Sequence, residues 1–314
     1  MDLNLIKYAI RSSWGTDTAY PMSPHPFLTG HPSTGQCAVS AVLLQDYVGG
    51  RLQKGRVNGL VSHYWNLIDG TAVDLTAEQF LPSAVIIGSQ DVLRESLMAD
   101  ATFRGRYQIL KDRTAAFLKK YAALEQEISQ CSLCQNAVEK FTNHTISFGG
   151  KGDVLVVGEA PAKNGWRLSG TAWKTAAGQT IPSGKRLCAL LSLCGLDLFD
   201  CNFLEMIKCH PQGRKDLALC GKNCYSFLER QLSLLAPRLI LTLGKIPVQM
   251  MLSSRAPLEE LVGKRHIVTV GHQTFTVFPI YHPSPISPKS WSENLLLIPA
   301  LQATLKEGES CLSI

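Results

Sequence analysis

The stretch that most constrains the fold of this chain runs from Asp153 to Trp173. It begins with the apolar run Val154 to Val157 and continues into Gly158-Glu159-Ala160-Pro161. A short apolar run that ends in turn residues is typical of a strand buried in a parallel sheet. The loop that follows is poor in bulky aliphatic residues and holds two tryptophans. Because ligands of open α/β sheets bind beyond the carboxyl ends of the strands, this loop is predicted to line a functional site.

The chain around this stretch alternates between strand and helix patterns. Strands are predicted at 153–157, 202–207, 238–243 and 275–280, and helices at 184–194, 220–235 and 245–253. Such alternation predicts a three-layer α/β/α fold with a central parallel sheet, here over residues 131–314. Residues 101–130 show apolar residues at helical spacing and are predicted to form a helical connector.

Residues 1–100 predict a smaller α+β domain. Cys37 opens an apolar helix that ends at Gly49-Gly50, and Asp69-Gly70 indicates a hairpin that carries His63 on one strand and Asp74 on the next. The order of Cys37, His63 and Asp74 resembles that of papain-like thiol hydrolases, in which a helix dipole and an imidazole activate a thiol. The alternative is that Cys37 is a packed small hydrophobe and His63 an ordinary strand residue.

Length and composition set broader limits. The 314 residues suit about two domains. No apolar run approaches the roughly 20 residues of a membrane span, and no leader precedes the ten cysteines, so we expect a cytoplasmic protein without disulfides. The net charge of +6 suits a polyanionic partner without requiring one. We expect a monomer near the bacterial nucleoid.

Four cysteines have the spacing of a metal site. Cys131 and Cys134 form a CxxC pair, and Cys209 and Cys224 stand further along the chain. In a reducing compartment such a set suits zinc or an iron–sulfur cluster better than disulfides, and spacing alone does not choose between the metals. Cys220 is a rival to Cys224 as the fourth ligand.

Two family resemblances follow from longer motifs. From Cys131 to about Leu305 the chain resembles the uracil-DNA glycosylase superfamily, most closely its iron–sulfur family 4. The motifs that carry this resemblance are GEAP at 158–161, IKCHPQGRK at 207–215 with CYSFL at 224–228, PRLILTLGK at 237–245 and FPIYHPSP at 278–285. The segments GQCAVSAVLLQDYVGG and SHYWNLIDGTAVDLT resemble the YunG-like family, which brings no established activity.

The first resemblance implies a DNA glycosylase that acts on a base flipped out of the DNA. It implies a 4Fe–4S cluster held by Cys131, Cys134, Cys209 and Cys224. His282 would donate to O2 of the departing pyrimidine, and Glu159 and Asn164 would manage the attacking water. The remaining expected contacts fall into two sets: Trp173, Ala160, Ala162 and Glu205 at the base, and Ser284, Ile286, Lys208, Arg214 and Lys215 at the DNA backbone or minor groove.

Three positions depart from the family pattern. Glu205 stands where the family has an asparagine that reads uracil, and a carboxyl group there favours the amine edge of a cytosine. Ala162 leaves space beside pyrimidine C5. Gly165 replaces an acid that assists the water. The alternative to Glu205 is that Asn202 reads the base.

These departures lead to our main functional hypothesis, excision of a modified cytosine such as hydroxymethylated or glucosylated cytosine in phage DNA, as an anti-phage defence. Three alternatives remain open at this point: a uracil-DNA glycosylase in base excision repair, a DNA-lesion binder without catalysis, and a thiol hydrolase in the amino-terminal domain.

Overall fold

The computed structural model describes residues 2–21, 31–134, 138–139, 144–162, 165–286 and 288–310. The chain forms two compact units, one built mainly from Met1–Lys120 and the other from Tyr121–Glu309. The boundary falls inside one continuous helix, Ala101–Gln130, which covers the segment predicted as a connector. None of the described helices is long and apolar enough to cross a membrane.

The first unit packs helices against one antiparallel sheet. Its elements are α1 (Leu3–Arg11), α2 (Cys37–Val48), β1 (Arg51–Val57), β2 (Val61–Ile68), β3 (Thr71–Val73), β4 (Ile86–Asp91), α3 (Arg94–Met98) and the start of α4 (Ala101–Gln130). The strand order is β3-β2-β1-β4. The predicted hairpin is confirmed, and Asp69 and Gly70 at its turn both have positive φ, 47° and 78°. Val39, Val42 and Leu43 of α2 are fully buried in the core of this unit.

The second unit contains the remaining elements. These are β5 (Val138–Glu139), β6 (Ile146–Ser147), β7 (Val154–Gly158), α5 (Trp166–Ser169), α6 (Pro182–Leu193), β8 (Asn202–Glu205), β9 (His210–Pro211), α7 (Leu217–Leu235), β10 (Leu239–Leu243), α8 (Lys245–Met251), α9 (Leu258–Leu261), β11 (His266–Val270), β12 (Gln273–Ile280), α10 (Pro288–Leu296) and α11 (Ile298–Ser310). The main sheet has the order β11-β12-β10-β7-β8-β6. Its four central strands are parallel, as predicted, and both edge strands run antiparallel.

Register determines which side chains share a face of this sheet. Val156 pairs with Phe203 and with Leu241, and residues paired across neighbouring strands point to the same side. All three belong to the core cluster that also contains residues of α6 and α11. Glu205 follows Phe203 by two residues and pairs with Gly158, so it continues the same face to the carboxyl edge. The packed core therefore leads directly into the strand ends where a site was predicted.

Asn202 occupies the opposite, amino end of β8. It is fully buried, and its amide Nδ2 donates to the carbonyl of Gly152 at 3.0 Å. Its Oδ1 accepts from the backbone N–H of Gly149, also at 3.0 Å. Both halves of the amide are thus used to fix the loop that precedes β7, at the end of the sheet away from the predicted site. Asn202 is a structural residue, and the alternative in which it reads a base is wrong.

We predict that Asn202→Ala lowers the free energy of unfolding by about 2–3 kcal/mol, because two buried backbone groups lose their partner. Urea denaturation followed by circular dichroism would measure this loss. Gln302→Ala is the matched control, since that amide makes a single exposed hydrogen bond to the Leu193 carbonyl. Equal stability of both variants would contradict the structural role of Asn202.

Candidate active site at the carboxyl edge of the sheet

The Glu205 carboxyl group lies directly over Gly158. A Cβ atom added to Gly158 would stand 2.1 Å from Glu205 Oε2, so only glycine allows the two strands to present the carboxyl in this position. The ladder continues beyond the strands, since the N–H groups of Met206 and Ile207 donate to the carbonyls of Gly158 and Glu159 at 2.8 and 3.0 Å. The backbone therefore fixes Glu205 and Glu159 side by side.

The environment of Glu205 favours its protonated form. Burial raises the pKa of this carboxyl to about 8, with Lys208 opposing the shift and Glu159 adding to it. The Oε2 atom is buried and has no hydrogen-bond partner among the described residues. A carboxyl group that holds its proton at neutral pH offers one donor and one acceptor, so the site can both give and receive a hydrogen bond.

Lys208 lies in a different environment from the one predicted. It is only 3% exposed, and its ammonium donates to the backbone carbonyl of Glu205. Burial lowers its pKa to about 8. An ammonium enclosed in this way cannot reach a DNA phosphate, and its observed role is to hold the end of β8. Sequence reasoning counted it among the surface cations because a lysine beside a cysteine motif gives no signal of burial.

His282 follows β12 at the same edge of the sheet. The N–H and C=O of Tyr281 bond the amide of Asn294 at 2.9 Å each, which anchors the loop to α10. Gly244, at φ 80°, ends β10 beneath the imidazole, and a Cβ there would lie 3.1 Å from that of His282. Desolvation lowers the pKa of His282, so the ring is neutral at pH 7 and can donate one hydrogen bond.

The loop after His282 carries an exposed apolar side chain. Arg186 of α6 donates to the Ser284 carbonyl at 2.8 Å, and Ser284 Oγ accepts from the Ile286 backbone N–H at 3.3 Å. Ile286 itself is 90% exposed. An isoleucine held outward by a fixed loop has the form that an inserting wedge requires. Sequence reasoning identified Ser284 and Ile286 and missed Arg186, which has no local motif.

The loop after β7 contains the other predicted residues. Glu159 and Ala160 are partly buried, whereas Ala162 is exposed. The Arg214 guanidinium is exposed and lies 3.9 Å from the Glu159 carboxylate. Arg214 is therefore a surface cation that borders the candidate site. Lys215 lies beside it in a short 3-10 helix, Arg214–Asp216. Asn164 lies outside the described residues.

Trp173 does not face the predicted site. It is 7% exposed and packs on Phe203, with ring centroids 4.4 Å apart. Its φ of 64° is the physical reason, since this left-handed backbone turns the indole into the core beneath α6. In this structure no face of the indole is open for stacking on a base. The Trp173–Phe203 pair instead forms an aromatic layer one step below Glu205 on the same face of the sheet.

A second feature of this unit is a cavity of about 100 Å³ lined by five cysteines: Cys131, Cys134, Cys209, Cys220 and Cys224. Two sulfur atoms accept hydrogen bonds, Cys224 Sγ from the Lys208 backbone N–H at 3.5 Å and Cys134 Sγ from Asn223 Nδ2 at 3.2 Å. Within the part of the chain that the structure describes, no three side chains of His, Cys, Asp or Glu are close enough to share one metal ion. The five cysteines thus line one cavity, and two of their sulfur atoms accept hydrogen bonds.

The structure also brings together the three residues singled out in the first unit. His63 Nε2 lies 2.5 Å from Asp74 Oδ2, and the Cys37 thiol is close enough to the imidazole to affect its pKa. These residues share no element with the edge described above and form a separate cluster.

Comparisons with known proteins divide the chain at the same place. Residues 147–300 match the family model described as "Uracil DNA glycosylase superfamily", and residues 2–119 match the one described as "YunG protein". The chain is 24% identical over 168 residues to the type-4 uracil-DNA glycosylase of Sulfurisphaera tokodaii, which covers 51% of this chain and 73% of that protein.

Two further relatives agree with this division. Identity to the type-4 uracil-DNA glycosylase of Archaeoglobus fulgidus is 28% over 167 residues, 51% of this chain and 80% of that protein. The uncharacterized protein YunG of Bacillus subtilis is 36% identical over 75 residues, 24% of this chain. The match spans only 60% of the length of that last protein.

We predict that the stability of the protein relative to Glu205→Gln depends on pH. Because the folded-state pKa of Glu205 is raised to about 8, its proton stabilises the folded state at low pH, and that contribution is lost as pH rises from its ordinary pKa through about 8. Glutamine has no proton to lose, so the variant should gain about 3 kcal/mol on the parent between pH 5 and pH 9.

Urea denaturation at several pH values would measure this gain, with Glu259→Gln at an exposed position as the control. If the free energy of unfolding changed with pH in the same way for the parent and for Glu205→Gln, Glu205 would be ionised in the folded protein over this pH range.

Proposed function

The second unit of the chain belongs to the uracil DNA glycosylase superfamily, and on that premise we propose that it is a DNA glycosylase that hydrolyses the N-glycosidic bond of a flipped pyrimidine and leaves an abasic site. The observation that carries this proposal is that Glu205 and His282 both stand at the carboxyl edge of the parallel strands, beside Gly158 and Gly244. Both groups are neutral near pH 7, which suits them to bond an uncharged base.

His282 stabilises the departing base. As the glycosidic bond breaks, negative charge develops at pyrimidine O2, and a neutral imidazole can direct an N–H at that oxygen. Its lowered pKa keeps it a hydrogen-bond donor without a net positive charge. Asn294, which binds both backbone groups of Tyr281, fixes the direction of the ring. Glu159 stands beside Glu205, where its carboxylate stabilises positive charge on the sugar and orients the attacking water.

Glu205 supports a modified cytosine as the excised base. Its neutral carboxyl group can accept from the cytosine N4 amine and donate to N3. Cytosine leaves less readily than uracil, and a proton given to N3 improves it as a leaving group. An acid with its pKa raised to about 8 can supply that proton, whereas an asparagine cannot. The exposed Ala162 leaves room for a C5 substituent, as on hydroxymethylated or glucosylated cytosine in phage DNA.

Uracil is the second candidate base. Two relatives bear the name type-4 uracil-DNA glycosylase. A neutral carboxyl group also matches uracil, donating to O4 and accepting from N3–H. Protonated Glu205 therefore pairs with either base, and what favours cytosine is the demand of its leaving group for a proton. This preference is kinetic, so a comparison of excision rates for the modified cytosine and for uracil distinguishes the two candidate bases.

We predict faster excision of hydroxymethylcytosine or its glucosylated form than of uracil, and that Glu205→Asn reverses this order. Purified protein would be tested on matched duplexes that carry one such base, with alkali cleavage of abasic sites as the readout. The parent rate on the cytosine substrate should fall as pH rises through about 8, because Glu205 then loses its proton. His282→Gln should lower the rate by about 10²–10³-fold.

Cys194→Ser, a partly buried position remote from the site, is the control that should leave every rate unchanged. Faster excision of uracil by the parent would contradict the assignment of cytosine as the excised base, and the protein would still be a DNA glycosylase. Binding to DNA without release of any base would sink the enzymatic proposal itself and favour a lesion binder.

We further propose that the cysteine-lined cavity holds a 4Fe–4S cluster through Cys131, Cys134, Cys209 and Cys224. The N–H groups that point at the sulfurs of Cys134 and Cys224 suit thiolate ligands. The cluster would supply a structural cross-link between three separate segments of the chain. Cys220 lines the same cavity and is the rival for the position of fourth ligand.

We predict that Cys224→Ser loses most of the iron and the visible absorption of the anaerobically purified protein, while Cys220→Ser keeps about four iron atoms per chain. Iron and sulfide analysis would measure both. The opposite result would make Cys220 the fourth ligand, and zinc in the parent would exclude the cluster.

A further inference from the structure

The first unit contains a nucleophile at the start of a helix. Cys37 is the first residue of α2, a 12-residue helix, and is 8% exposed. The preceding Gln36 does not cap the helix, because its side chain binds the Gly15 carbonyl and Thr18 Oγ1, each at 2.9 Å. The amide groups of the first turn are therefore not capped by this side chain, and the positive end of the helix dipole lies at the thiol.

A histidine and an aspartate stand behind this cysteine. His63 is fully buried, and its Nε2 lies 2.5 Å from Asp74 Oδ2. The other carboxylate oxygen of Asp74 accepts from the N–H and hydroxyl of Thr76 at 2.8 and 3.1 Å. Trp65 stacks on the imidazole at 5.9 Å and Phe80 meets it edge-on at 4.7 Å. Three contacts thus fix the orientation of the ring, and two more fix the Asp74 carboxylate.

The orientation leaves Nδ1 for the cysteine. This atom is buried without a hydrogen bond of ordinary geometry to any described residue. Burial alone would lower the pKa of His63, but Asp74 and the Cys37 thiol outweigh it and raise the pKa to about 9. The ring therefore carries a proton at neutral pH and can give it to the leaving group in a reaction at the neighbouring Cys37 sulfur. The three residues form a Cys–His–Asp arrangement in which each group has the partner its role requires.

A partly buried cation, Arg106, lies near the same cysteine. The Nε and Nη1 atoms of Arg106 are buried, and neither has a hydrogen-bond partner among the residues that the structure describes. The guanidinium stacks over Tyr20 and Phe103, with 5.3 and 5.6 Å to the ring centroids. It is close enough to Cys37 for their charges to interact. Two buried N–H groups directed at no acceptor are costly unless a ligand supplies one.

Stability alone does not account for this cluster. Replacing a buried ion pair by apolar side chains of similar volume is often neutral or stabilising, so a buried His63–Asp74 pair contributes little to the fold. A narrow cleft lined by Tyr64, Asn66 and Thr76 borders Cys37, which is 8% exposed.

We propose that the first unit is a second catalytic site, a thiol hydrolase for acyl compounds that carry a carboxylate near the scissile carbonyl. Cys37 is the nucleophile, His63 the acid and base, Asp74 the residue that positions His63, and Arg106 the group that binds the carboxylate of the substrate. The glycosylase activity of the second unit is not part of this proposal.

The reaction has two steps. The Cys37 thiolate adds to the carbonyl carbon, the bond from carbon to the leaving nitrogen or oxygen breaks, and the leaving group takes the proton of His63. Water then adds to the acyl-enzyme, giving one proton to His63 while the carbon–sulfur bond breaks and the acid departs. The thiolate and the imidazolium are restored, and the net reaction consumes one water.

Two esters test the proposal on the 314-residue chain. They are 4-nitrophenyl acetate, which is neutral, and mono-4-nitrophenyl succinate, which carries a carboxylate. We expect a burst of about one nitrophenolate per chain that is absent in Cys37→Ser. The succinate ester should acylate about tenfold faster than the acetate, and Arg106→Gln should abolish that preference.

Arg104→Gln is the matched control, because Arg104 lies on the same helix and is exposed. Asp74→Asn should slow acylation by both esters, and mass spectrometry of the trapped acyl-enzyme should locate the group on Cys37. Absence of a Cys37-dependent burst in protein with an unchanged circular dichroism spectrum would overturn the catalytic site. A preference for succinate that persists in Arg106→Gln would overturn the role of Arg106.

Discussion

The candidate glycosylase site depends on the close approach of Glu205 to Gly158. The carboxyl group occupies the space that any side chain on residue 158 would need, and the parallel pairing of β7 with β8 sets the two residues at the same level. Such a close approach is possible at the end of a strand. There the hydrogen bonds between strands still fix the backbone, while core side chains no longer cover that face of the sheet. The fold thus holds a carboxyl group on rigid elements instead of on a mobile loop.

This placement has an energetic cost. Glu205 Oε2 and Trp173 Nε1 are both buried without hydrogen-bond partners among the described residues. At the other end of the same strand, Asn202 is fully buried and has both halves of its amide bonded. The amide at the amino end of this four-residue strand therefore has its hydrogen-bond partners, whereas the carboxyl group at the other end lacks one among the described residues. A base that pairs with Glu205 would provide the missing partner, so binding would recover part of the desolvation cost.

The sequence predicts the parts of this structure that depend on local pattern. The central strands, the helices after them and the hairpin at Asp69-Gly70 have strong periodic or turn signals and are found within a few residues of the predicted bounds. The short antiparallel edge strands β6 and β11 were not predicted, because two to five residues carry too little periodicity. The family resemblance singled out His282 and Glu205, and the structure has both at the carboxyl ends of strands in the parallel sheet.

Side-chain direction is what the sequence could not give. Trp173 points into the core because its backbone is left-handed, and no pattern of residue types predicts a positive φ at a tryptophan. Lys208 is buried because it turns back to the carbonyl of Glu205, three residues earlier in the chain. The partners Arg186 and Arg106 come from distant helices, so only the folded chain shows that they lie at Ser284 and near Cys37.

Both proposed sites hold a proton near neutral pH, and they do so for opposite physical reasons. Burial penalises the charged form of each group, which raises the pKa of Glu205 to about 8 and would lower that of His63. His63 remains charged because Asp74 lies 2.5 Å away and outweighs burial, bringing its pKa to about 9. For Glu205, the charge of Lys208 lowers the pKa by less than burial raises it, so the carboxyl group stays protonated. A neutral acid suits the pairing with an uncharged base, and a charged imidazole suits a thiolate. Whether an oppositely charged neighbour outweighs burial therefore determines the protonation state of the group at each proposed site.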